Sequence, residues 1–349
     1  MRVLAMLAVL AGCGDNVDPT YEPWILEDLT PAQGLSIRTP EFAVPAGAEI
    51  QDCYFFAVPD LAGGADLMID RVALALNAGS HHMNVFRVKT IVALDPAAGE
   101  PVDLGGVSGT VIRGADNIEC WKSANWATWP LVSNSQQSTG DPIVDWNLPA
   151  DVATRLVPGE MLMLQIHYVN GTDQVTPFVG RGGINFYRSA DGDTQELGTL
   201  FATQQSIRVC RSNPKPSYSG ACAMPAGTHT VAAANGHFHS RGERFRMFAW
   251  DGLSTTRPAD AAMFYDSTNW EEPEMEIDLD VALPEAGGIW WTCDYQWSEP
   301  AGGCAAVDAR DPQQANDCCY TFGPTVESSE HCNAFVYYYP KVGGDVTCF

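Results

Sequence analysis

The chain has few basic residues. Lys and Arg total 19 against 43 Asp and Glu, which gives a formal net charge of −24 at pH 7. A charge of this sign and size repels the phosphate backbone of nucleic acids and the head groups of anionic lipids. We therefore expect no nucleic-acid partner.

Long apolar runs are also missing beyond the first residues. None approaches the roughly 18 residues that a membrane-spanning helix needs, so we expect the body of the protein to be soluble. The sequence has no Walker-type loop, no GxGxxG motif and no sustained heptad pattern. Nucleotide-binding folds and coiled coils therefore have no support.

The N-terminus has the features of an export signal. Arg2 is followed by the short apolar run 3–11 and then by small residues, a pattern typical of secretory signals. The segment Leu10-Ala11-Gly12-Cys13 is similar to a bacterial lipoprotein signal, in which the cysteine is lipidated. We predict a signal over 1–13, lipidation of Cys13 and an acidic, proline-containing tether over 14–33. The protein is then exported, either lipid-anchored to a bacterial membrane or periplasmic or extracellular, and touches the membrane only through its anchor.

Cysteine is abundant. Eleven cysteines in 349 residues are typical of a chain that folds in an oxidising compartment. Without Cys13, ten remain, enough for five disulfides. Cys318 and Cys319 are adjacent, and a disulfide between neighbours closes a strained ring. We expect them to bond to two different partners.

The composition predicts an all-β fold. The 32 glycines and 23 prolines are scattered between short runs rich in Val, Ile, Tyr, Trp and Phe, which favours many strands and turns. The eight residues 274–281 alternate acidic and apolar side chains, as a strand with one wet face does. The length suffices for two cores. We predict two tandem antiparallel β-sandwich domains, jelly-roll-like, over 34–190 and 191–349.

Seven histidines are present, and four of them are closely spaced. His237 and His239 are two apart in a predicted strand, so their side chains share one face and can hold one ion. His81 and His82 are adjacent, and on a regular strand they would face opposite sides. They can share an ion only at a strand end or a bulge. His167, in an apolar strand, is a candidate third ligand for that pair.

Imidazole donors with few carboxylates suit copper or zinc. A single histidine in an apolar strand is more often a hydrogen-bonded core residue than a ligand. The metal hypothesis therefore depends on the two pairs occurring together.

Four histidine-containing segments occur in a characteristic order. They are Ser80–Phe86, Leu164–Tyr168, His237–Gly242 and Glu330–Asn333, the last followed by Tyr337–Pro340. Their order and separations resemble those of the copper type II, ascorbate-dependent monooxygenases, the family of peptidylglycine α-hydroxylating monooxygenase and dopamine β-hydroxylase. The resemblance covers about residues 35 to 349.

This resemblance implies two coppers per chain. His81, His82 and His167 would hold the electron-transfer copper in the first sandwich, and His237 and His239 the oxygen-activating copper in the second. The two ions would face each other across a solvent cleft between the domains. Ascorbate or a similar one-electron donor would reduce both, O2 would bind the second, and a C–H bond of a small organic substrate would be hydroxylated.

One ligand position departs from the family. His331 stands where the family has a methionine, the soft third ligand of the oxygen-activating copper. Imidazole is a harder donor than a thioether, so His331 should favour Cu(II) and lower the reduction potential. The alternatives are monooxygenation at an altered potential, a different oxygen or electron-transfer chemistry, a metal site without turnover, or a His331 that does not ligate.

The substrate positions depart as well. Where the peptide-amidating member has an arginine and a tyrosine for the substrate carboxylate, this chain has Asn235 and Phe335. Asn333 matches the family's asparagine. Without the arginine fork a carboxylate loses its best donor, so peptide amidation is not expected. Asn235, Asn333 and Phe335 stay candidate substrate-binding positions.

The family's disulfides carry over in part. The resemblance implies the pairs Cys293–Cys332, Cys210–Cys348 and Cys53–Cys120. Four cysteines have no counterpart: Cys222, Cys304, Cys318 and Cys319.

The expectation from the sequence is an exported copper-dependent monooxygenase with His237, His239 and His331 at its catalytic copper. Two other interpretations remain. One is a non-catalytic copper-binding lipoprotein, and the other is an adhesion or scaffold protein with degenerate sites. Metal content and reductant-dependent oxygen uptake distinguish the three.

Overall fold

The computed structural model describes residues 26–89, 95–113, 129–137, 143–170, 178–190, 192, 195–300, 302–308 and 316–349. The predicted signal 1–13, Cys13, most of the tether 14–33 and Cys120 lie outside these residues. Within the described ranges, no helix has the length and apolar character needed to cross a membrane.

The described chain is almost entirely strands and turns, which confirms the all-β prediction. The first half contains β1 (Gly34–Arg38), β2 (Phe42–Val44), β3 (Glu49–Ala57), β4 (Leu67–Leu76), β5 (Ser80–Arg87), β6 (Glu100–Asp103), β7 (Ser108–Arg113), β8 (Leu131–Ser135), β9 (Ile143–Asn147), β10 (Val152–Leu156), β11 (Met161–Val169), β12 (Phe178–Gly180) and β13 (Gly182–Arg188). From residue 195 onward the strands are β14 (Gln195–Glu196), β15 (Gly198–Thr203), β16 (Arg208–Val209), β17 (Ser217–Ala223), β18 (Thr230–Phe238), β19 (Gly242–Trp250), β20 (Met263–Ser267), β21 (Val281–Ala282), β22 (Gly288–Tyr295), β23 (Tyr320–Thr321), β24 (Cys332–Tyr339) and β25 (Val346–Cys348). Within the described residues, the helical segments are the 3-10 turns Pro96–Ala98 and Asp260–Ala262 and the single-turn helix α1 (Ala305–Asp308).

Two larger sheets form the first half. One has the order β1-β13-β4-β10-β14 with β9 also beside β4, and the other has the order β6-β7-β3-β11-β5-β8. The pairing is antiparallel except that β14 runs parallel to β10. β14 follows residue 190, where the sequence predicts a domain boundary, yet it belongs to the first half's sheet.

The second half repeats this plan with two further sheets. Their orders are β21-β18-β24-β15-β25 and β17-β22-β19-β20. Short pairs join β2 to β12 and β16 to β23. In both halves the buried faces of the two large sheets supply the core, as expected for sandwich architecture.

The core of the first half continues into the second. Phe335 and Tyr337 of β24 and Met275 are buried in the same apolar cluster as the side chains of β3, β4 and β11. The rings of Trp146 and Tyr337 meet edge to face, with centroids 5.2 Å apart. Burying apolar surface stabilises association. This contact therefore stabilises the packing of the two halves against each other.

Amide groups reinforce the same boundary. The side chain of Asn134 donates to Oδ1 of Asn235 at 2.9 Å and accepts from the hydroxyl of Tyr337 at 2.7 Å. Gln136 donates to the carbonyl oxygen of Gly236 at 2.7 Å. All of these side chains are buried, where an unpaired amide would be costly, so the bonds fix the halves in register.

One predicted disulfide is present and one is wrong. Cys293 of β22 bonds to Cys332 of β24, as the resemblance implies. Cys210 bonds to Cys319 and not to Cys348. The cause is the pairing of β16 with β23, which sets Val209 opposite Tyr320 and therefore brings the adjacent Cys210 and Cys319 together.

The remaining cysteines complete the pattern. Cys348 bonds to Cys222, linking β25 to β17, and Cys304 bonds to Cys318. The adjacent Cys318 and Cys319 thus have different partners, which confirms that prediction. Cys53 is disulfide-bonded, and its expected partner, Cys120, lies outside the described residues. Such disulfides indicate an exported protein.

The predicted strand over 274–281 is wrong, although its alternation is real. Met275 is buried while Glu274 and Glu276 are exposed. Glu276 exchanges backbone hydrogen bonds with Ala234, but Asp278 has a φ of 58°, a left-handed conformation that interrupts strand geometry. The segment follows β18 without continuous pairing.

Candidate metal centre

Six of the seven histidines form one buried cluster. None of them is more than 5% exposed. They come from both halves of the chain: His81, His82 and His167 from the first, and His237, His239 and His331 from the second.

A bulge places the adjacent pair. In the pairing of β5 with β11, His82 lies opposite His167 and Ser80 lies opposite Tyr168, so His81 is the additional residue between them. A bulge redirects the side chain of the extra residue. This is the condition under which adjacent histidines can reach one site, and the structure meets it.

The second group lies where β18 ends and β24 begins. His237 is the penultimate residue of β18 and His239 follows that strand, while His331 immediately precedes β24. β18 and β24 pair directly, with His237 opposite Asn333. The spacing of two between His237 and His239 directs both side chains to one side, as the sequence predicts.

The two groups are not separated by a solvent cleft, contrary to the expectation. Ring centroids within a group lie 5.0 Å apart for His82 and His167. Across the halves His81 lies 4.9 Å from His237 and 5.4 Å from His239. The shared core and the amide bonds of Asn134 and Gln136 close the boundary at this point, so ring distances between the groups are similar to those within them.

A carboxylate supports the first group. Oε1 of Glu49 lies 2.7 Å from Nε2 of His167, and Nδ1 of His167 lies 3.3 Å from Nε2 of His82. A carboxylate accepts the Nε2–H of His167, which leaves Nδ1 with its lone pair directed into the cluster. Burial alone would raise the pKa of Glu49, but the hydrogen bond from His167 holds that pKa below its usual value.

Carbonyl groups support the second group. Nδ1 of His237 lies 2.6 Å from Oε1 of Gln136, and Nδ1 of His239 lies 3.0 Å from the carbonyl oxygen of Ser329. Each acceptor requires the proton on Nδ1, so Nε2 of both rings carries the lone pair. Nε2 of His237 lies 2.9 Å from Nδ1 of His331.

The cluster passes a test for metal binding. Nε2 of His81 and Nε2 of His239 are buried and have no hydrogen-bond partner among the described atoms, a costly state unless another species engages them. One nitrogen from each of His81, His237 and His239 lies within 4.8 Å of the others. Two ligands of a tetrahedral ion with bonds of ~2.0 Å lie ~3.3 Å apart, close to the separations of the His82–His167 and His237–His331 pairs.

Five imidazoles of the cluster are neutral at physiological pH. Burial, aided by the neighbouring rings, lowers the pKa of His81, His82, His237 and His331 well below 6.5. Burial also lowers the pKa of His239, to about 4. Neutral imidazole is the form that binds a metal, and an all-nitrogen donor set suits copper or zinc.

A small polar cavity adjoins the cluster. It offers about 20 Å³ to the centre of a water-sized molecule, which is room for one water. Its walls are formed by Gln51, His82, Asn84, Gln165, His237, His331, Asn333 and Phe335.

Of the three candidate substrate-binding residues, Asn333 and Phe335 line this cavity and Asn235 does not. The side-chain oxygen of Asn235 accepts from Asn134, and its amide donates to the carbonyl oxygen of Pro273 at 2.9 Å. Its hydrogen-bonding groups are therefore occupied in joining chain segments.

Glu330 braces the second group. Its carboxylate accepts the backbone N–H of His239 at 3.1 Å and that of Arg241 at 2.7 Å. Burial raises the pKa of Glu330 to about 8, although these two donors oppose the shift. The contact fixes the turn after β18 against the residue that precedes His331.

Sequence reasoning missed Glu49 and Gln136. Glu49 begins an apolar strand and Gln136 follows a short one, and neither position carries a motif.

His229 belongs to neither group. The carbonyl oxygens of Pro340 and Pro225 each lie 3.0 Å from one of its ring nitrogens. Both of its nitrogens are engaged, so it is a structural residue.

Comparison with known proteins does not identify a family. No protein-family model matches the chain, and no curated protein matches it.

The chain shows weak likeness to three solved structures. A putative secreted protein from Eubacterium rectale is 9% identical, with a TM-score of 0.22 over 84% of this chain and 70% of that one. The major capsid protein P2 of bacteriophage PM2 is 10% identical, with a TM-score of 0.26 over 77% and 99%. The tandem CBM22 domains of Paenibacillus barcinonensis Xyn10C are 8% identical, with a TM-score of 0.20 over 87% and 83%. Likeness this weak carries no functional argument.

Proposed function

We propose that this protein is an exported copper-dependent monooxygenase that hydroxylates a C–H bond of a small organic substrate, using O2 and a one-electron reductant such as ascorbate. The observation that carries the proposal is the convergence of six buried imidazoles from the two halves of the chain. The order of the histidine motifs supports copper as the metal and two ions per chain. Lipidation of Cys13 is the proposed membrane attachment.

The residues around the cluster prepare it for a metal. Three oxygen atoms each accept a hydrogen bond from one histidine ring: those of Glu49, Gln136 and the Ser329 carbonyl. Each bond orients its ring so that the other ring nitrogen points into the cluster. Such outer partners fix the tautomer and raise ligand basicity. Copper, when bound there, would supply the redox and oxygen chemistry.

We propose the polar cavity as the place where O2 and the substrate reach the cluster. It borders His82, His237 and His331. The buried side-chain oxygens of Asn84 and Asn333, which have no hydrogen-bond partner among the described atoms, supply hydrogen-bond acceptors on its wall. Its size suits a molecule no larger than water. An organic substrate therefore requires the cavity to widen, and it would then meet Asn333 and Phe335.

A second candidate function is copper binding without turnover. The size of the cavity favours it, because the cavity that borders His82, His237 and His331 offers room for about one water. The two functions share the metal and differ in oxygen consumption.

One experiment separates these functions. Purified protein is analysed for copper, and its ascorbate-driven oxygen uptake is recorded with and without a panel of small aromatic and aliphatic compounds. A monooxygenase contains copper and consumes oxygen in proportion to hydroxylated product. Stoichiometric copper with no substrate-dependent uptake supports the binding protein, and a chain that takes up no copper contradicts both.

The anchor has its own test. Radiolabelled palmitate should be incorporated by cells that make the wild-type chain but not by cells that make Cys13→Ser. Equal labelling of the two would contradict lipidation at this residue.

A further inference from the structure

His81 belongs to the first half by sequence but lies against the second half's histidines. Its ring centroid is 4.9 Å from that of His237 and 5.4 Å from that of His239. The distances to His82 and His167 of its own half are 5.5 Å and 5.3 Å, so the ring lies as close to the second half's histidines as to those of its own half. The bulge in β5 gives His81 this freedom, because the residue has no partner opposite it on β11.

The three rings are also prepared alike. His81 is hydrogen-bonded to the backbone of Glu271 and its Nε2 has no hydrogen-bond partner among the described atoms, so that bond is made through Nδ1. His237 and His239 likewise use Nδ1 for an oxygen acceptor. All three therefore present Nε2 as the donor atom.

We infer that His81, His237 and His239 hold one transition-metal ion between them, so that a ligand from the first half completes the site of the second. This inference rests on the proposed metal-binding function and departs from the arrangement in which each half holds its own ion. Three imidazoles suit copper or zinc and would leave a fourth coordination position open. The ring of His331 lies 4.2 Å from that of His239. His82 and His167, supported by Glu49, form the remaining donor pair.

A shared ion has a mechanical consequence. Because its ligands belong to both halves, the ion binds tightly only when the halves are together. Binding to the closed form alone stabilises that form. The metal thus adds to the apolar core and the amide bonds as a third link across the boundary.

The test is a count of bound ions in a set of variants. Apo-protein is loaded anaerobically with Cu(I), desalted and analysed for copper per chain. The set is the wild type, His81→Ala, His239→Ala, the double variant, and His82→Ala. His229→Gln is the matched control, since it removes a buried histidine that lies outside the cluster.

A shared ion predicts that His81→Ala, His239→Ala and the double variant each lose the same single ion. His82→Ala keeps that ion, and His229→Gln retains the wild-type content. Loss of one ion by each single variant and of two by the double variant would overturn the inference, because the residues would then serve different ions. Full retention by His81→Ala would overturn it as well.

Thermal unfolding provides the second measurement. The rise in Tm on adding Cu(I) should fall by the same amount in His81→Ala and His239→Ala, with no further fall in the double variant. Circular dichroism verifies folding, and glutamine replaces alanine at any position where the alanine variant does not fold. Additive losses of the Tm rise contradict a shared ion.

Failure of this inference differs from failure of the proposed function. If each half holds its own ion and turnover persists, only this inference is wrong. If the wild-type protein binds no metal, the proposed function is wrong as well.

Discussion

Glu49 and His167 are joined by a hydrogen bond of 2.7 Å between Oε1 and Nε2. The same carboxylate oxygen accepts the backbone N–H of Val326 at 3.0 Å. Val326 precedes His331 in the second half, and its carbonyl oxygen accepts from the hydroxyl of Ser240. One side chain thus orients a histidine of the first group and holds the segment that leads to the second.

We expect Glu49→Ala to weaken metal binding by about 10- to 100-fold, the usual cost of losing an outer-shell partner. The metal affinity of Glu49→Gln should lie between those of Glu49→Ala and the wild type, since the glutamine side-chain oxygen still accepts a hydrogen bond. Affinity is measured by chelator competition. Glu100→Gln, on an exposed edge strand, is the matched control. Unchanged affinity in Glu49→Ala would show that the carboxylate does not prepare the site.

His237→Ala is expected to remove one copper and all hydroxylation while leaving the fold intact. The ring of His237 contacts rings of both groups, and the variant removes its nitrogen donor from between them. Copper content, product formation and the circular dichroism spectrum are the measurements. Persistent turnover would refute its assignment to the catalytic copper.

His331→Met should bind Cu(I) more tightly, because a thioether is softer than imidazole. The comparison is a Cu(I) chelator competition of the variant with the wild type. An unchanged Cu(I) affinity would show that residue 331 is not a ligand.

Acid should destabilise the metal-free protein. Burial lowers the pKa of His239 from 6.5 to about 4 and the pKa of four other cluster histidines well below 6.5. Below pH 6.5 the unfolded chain therefore binds more protons than the folded chain. The contribution of these histidines to stability is fully present above pH 6.5 and is lost as the pH falls towards 4, by about 3 kcal/mol for His239 alone.

Glu330 acts in the opposite sense, because its raised pKa lets the folded state keep a proton that the unfolded state releases above pH 4.5. Five imidazoles outweigh this one carboxyl. Urea unfolding of apo-protein at pH 7.5, 6.5 and 5.5 measures the net slope. His239→Gln should show a weaker dependence on pH. A free energy of unfolding that is constant or rises on acidification would contradict the prediction.

Removal of the Cys293–Cys332 disulfide should lower stability. The bond closes a loop with a sequence separation of 39, for which loss of chain entropy in the unfolded state gives about 4 kcal/mol. The double variant Cys293→Ala/Cys332→Ala is compared with the wild type by urea unfolding at pH 7.5. A change below about 1 kcal/mol would show that the cross-link adds little beyond native contacts.

Patterns in the sequence predicted the fold class and the histidines that meet. His237 and His239 share a face because a strand repeats every two residues, and adjacent His81 and His82 needed a bulge, which β5 contains. Local periodicity is sufficient for both inferences because each depends on one short stretch of chain.

What the sequence could not supply depends on contacts between distant segments. Nothing around Glu49 marks it as the partner of His167, since their meeting follows from the register of β3 against β11. The bond of Cys210 depends on strands of two residues, which are too short to show a pattern. At Asp278 a single left-handed residue interrupts the strand that the alternation predicts.

The common core of the two halves also bears on how the chain can be handled. Phe335 and Tyr337 are buried among side chains from the opposite half. A fragment ending near residue 190 would therefore expose an apolar surface that these residues cover in the full chain. An exposed apolar surface of this kind promotes self-association. Neither half can therefore be transferred unchanged into another protein, and a chimaera with another β-sandwich would need this face redesigned.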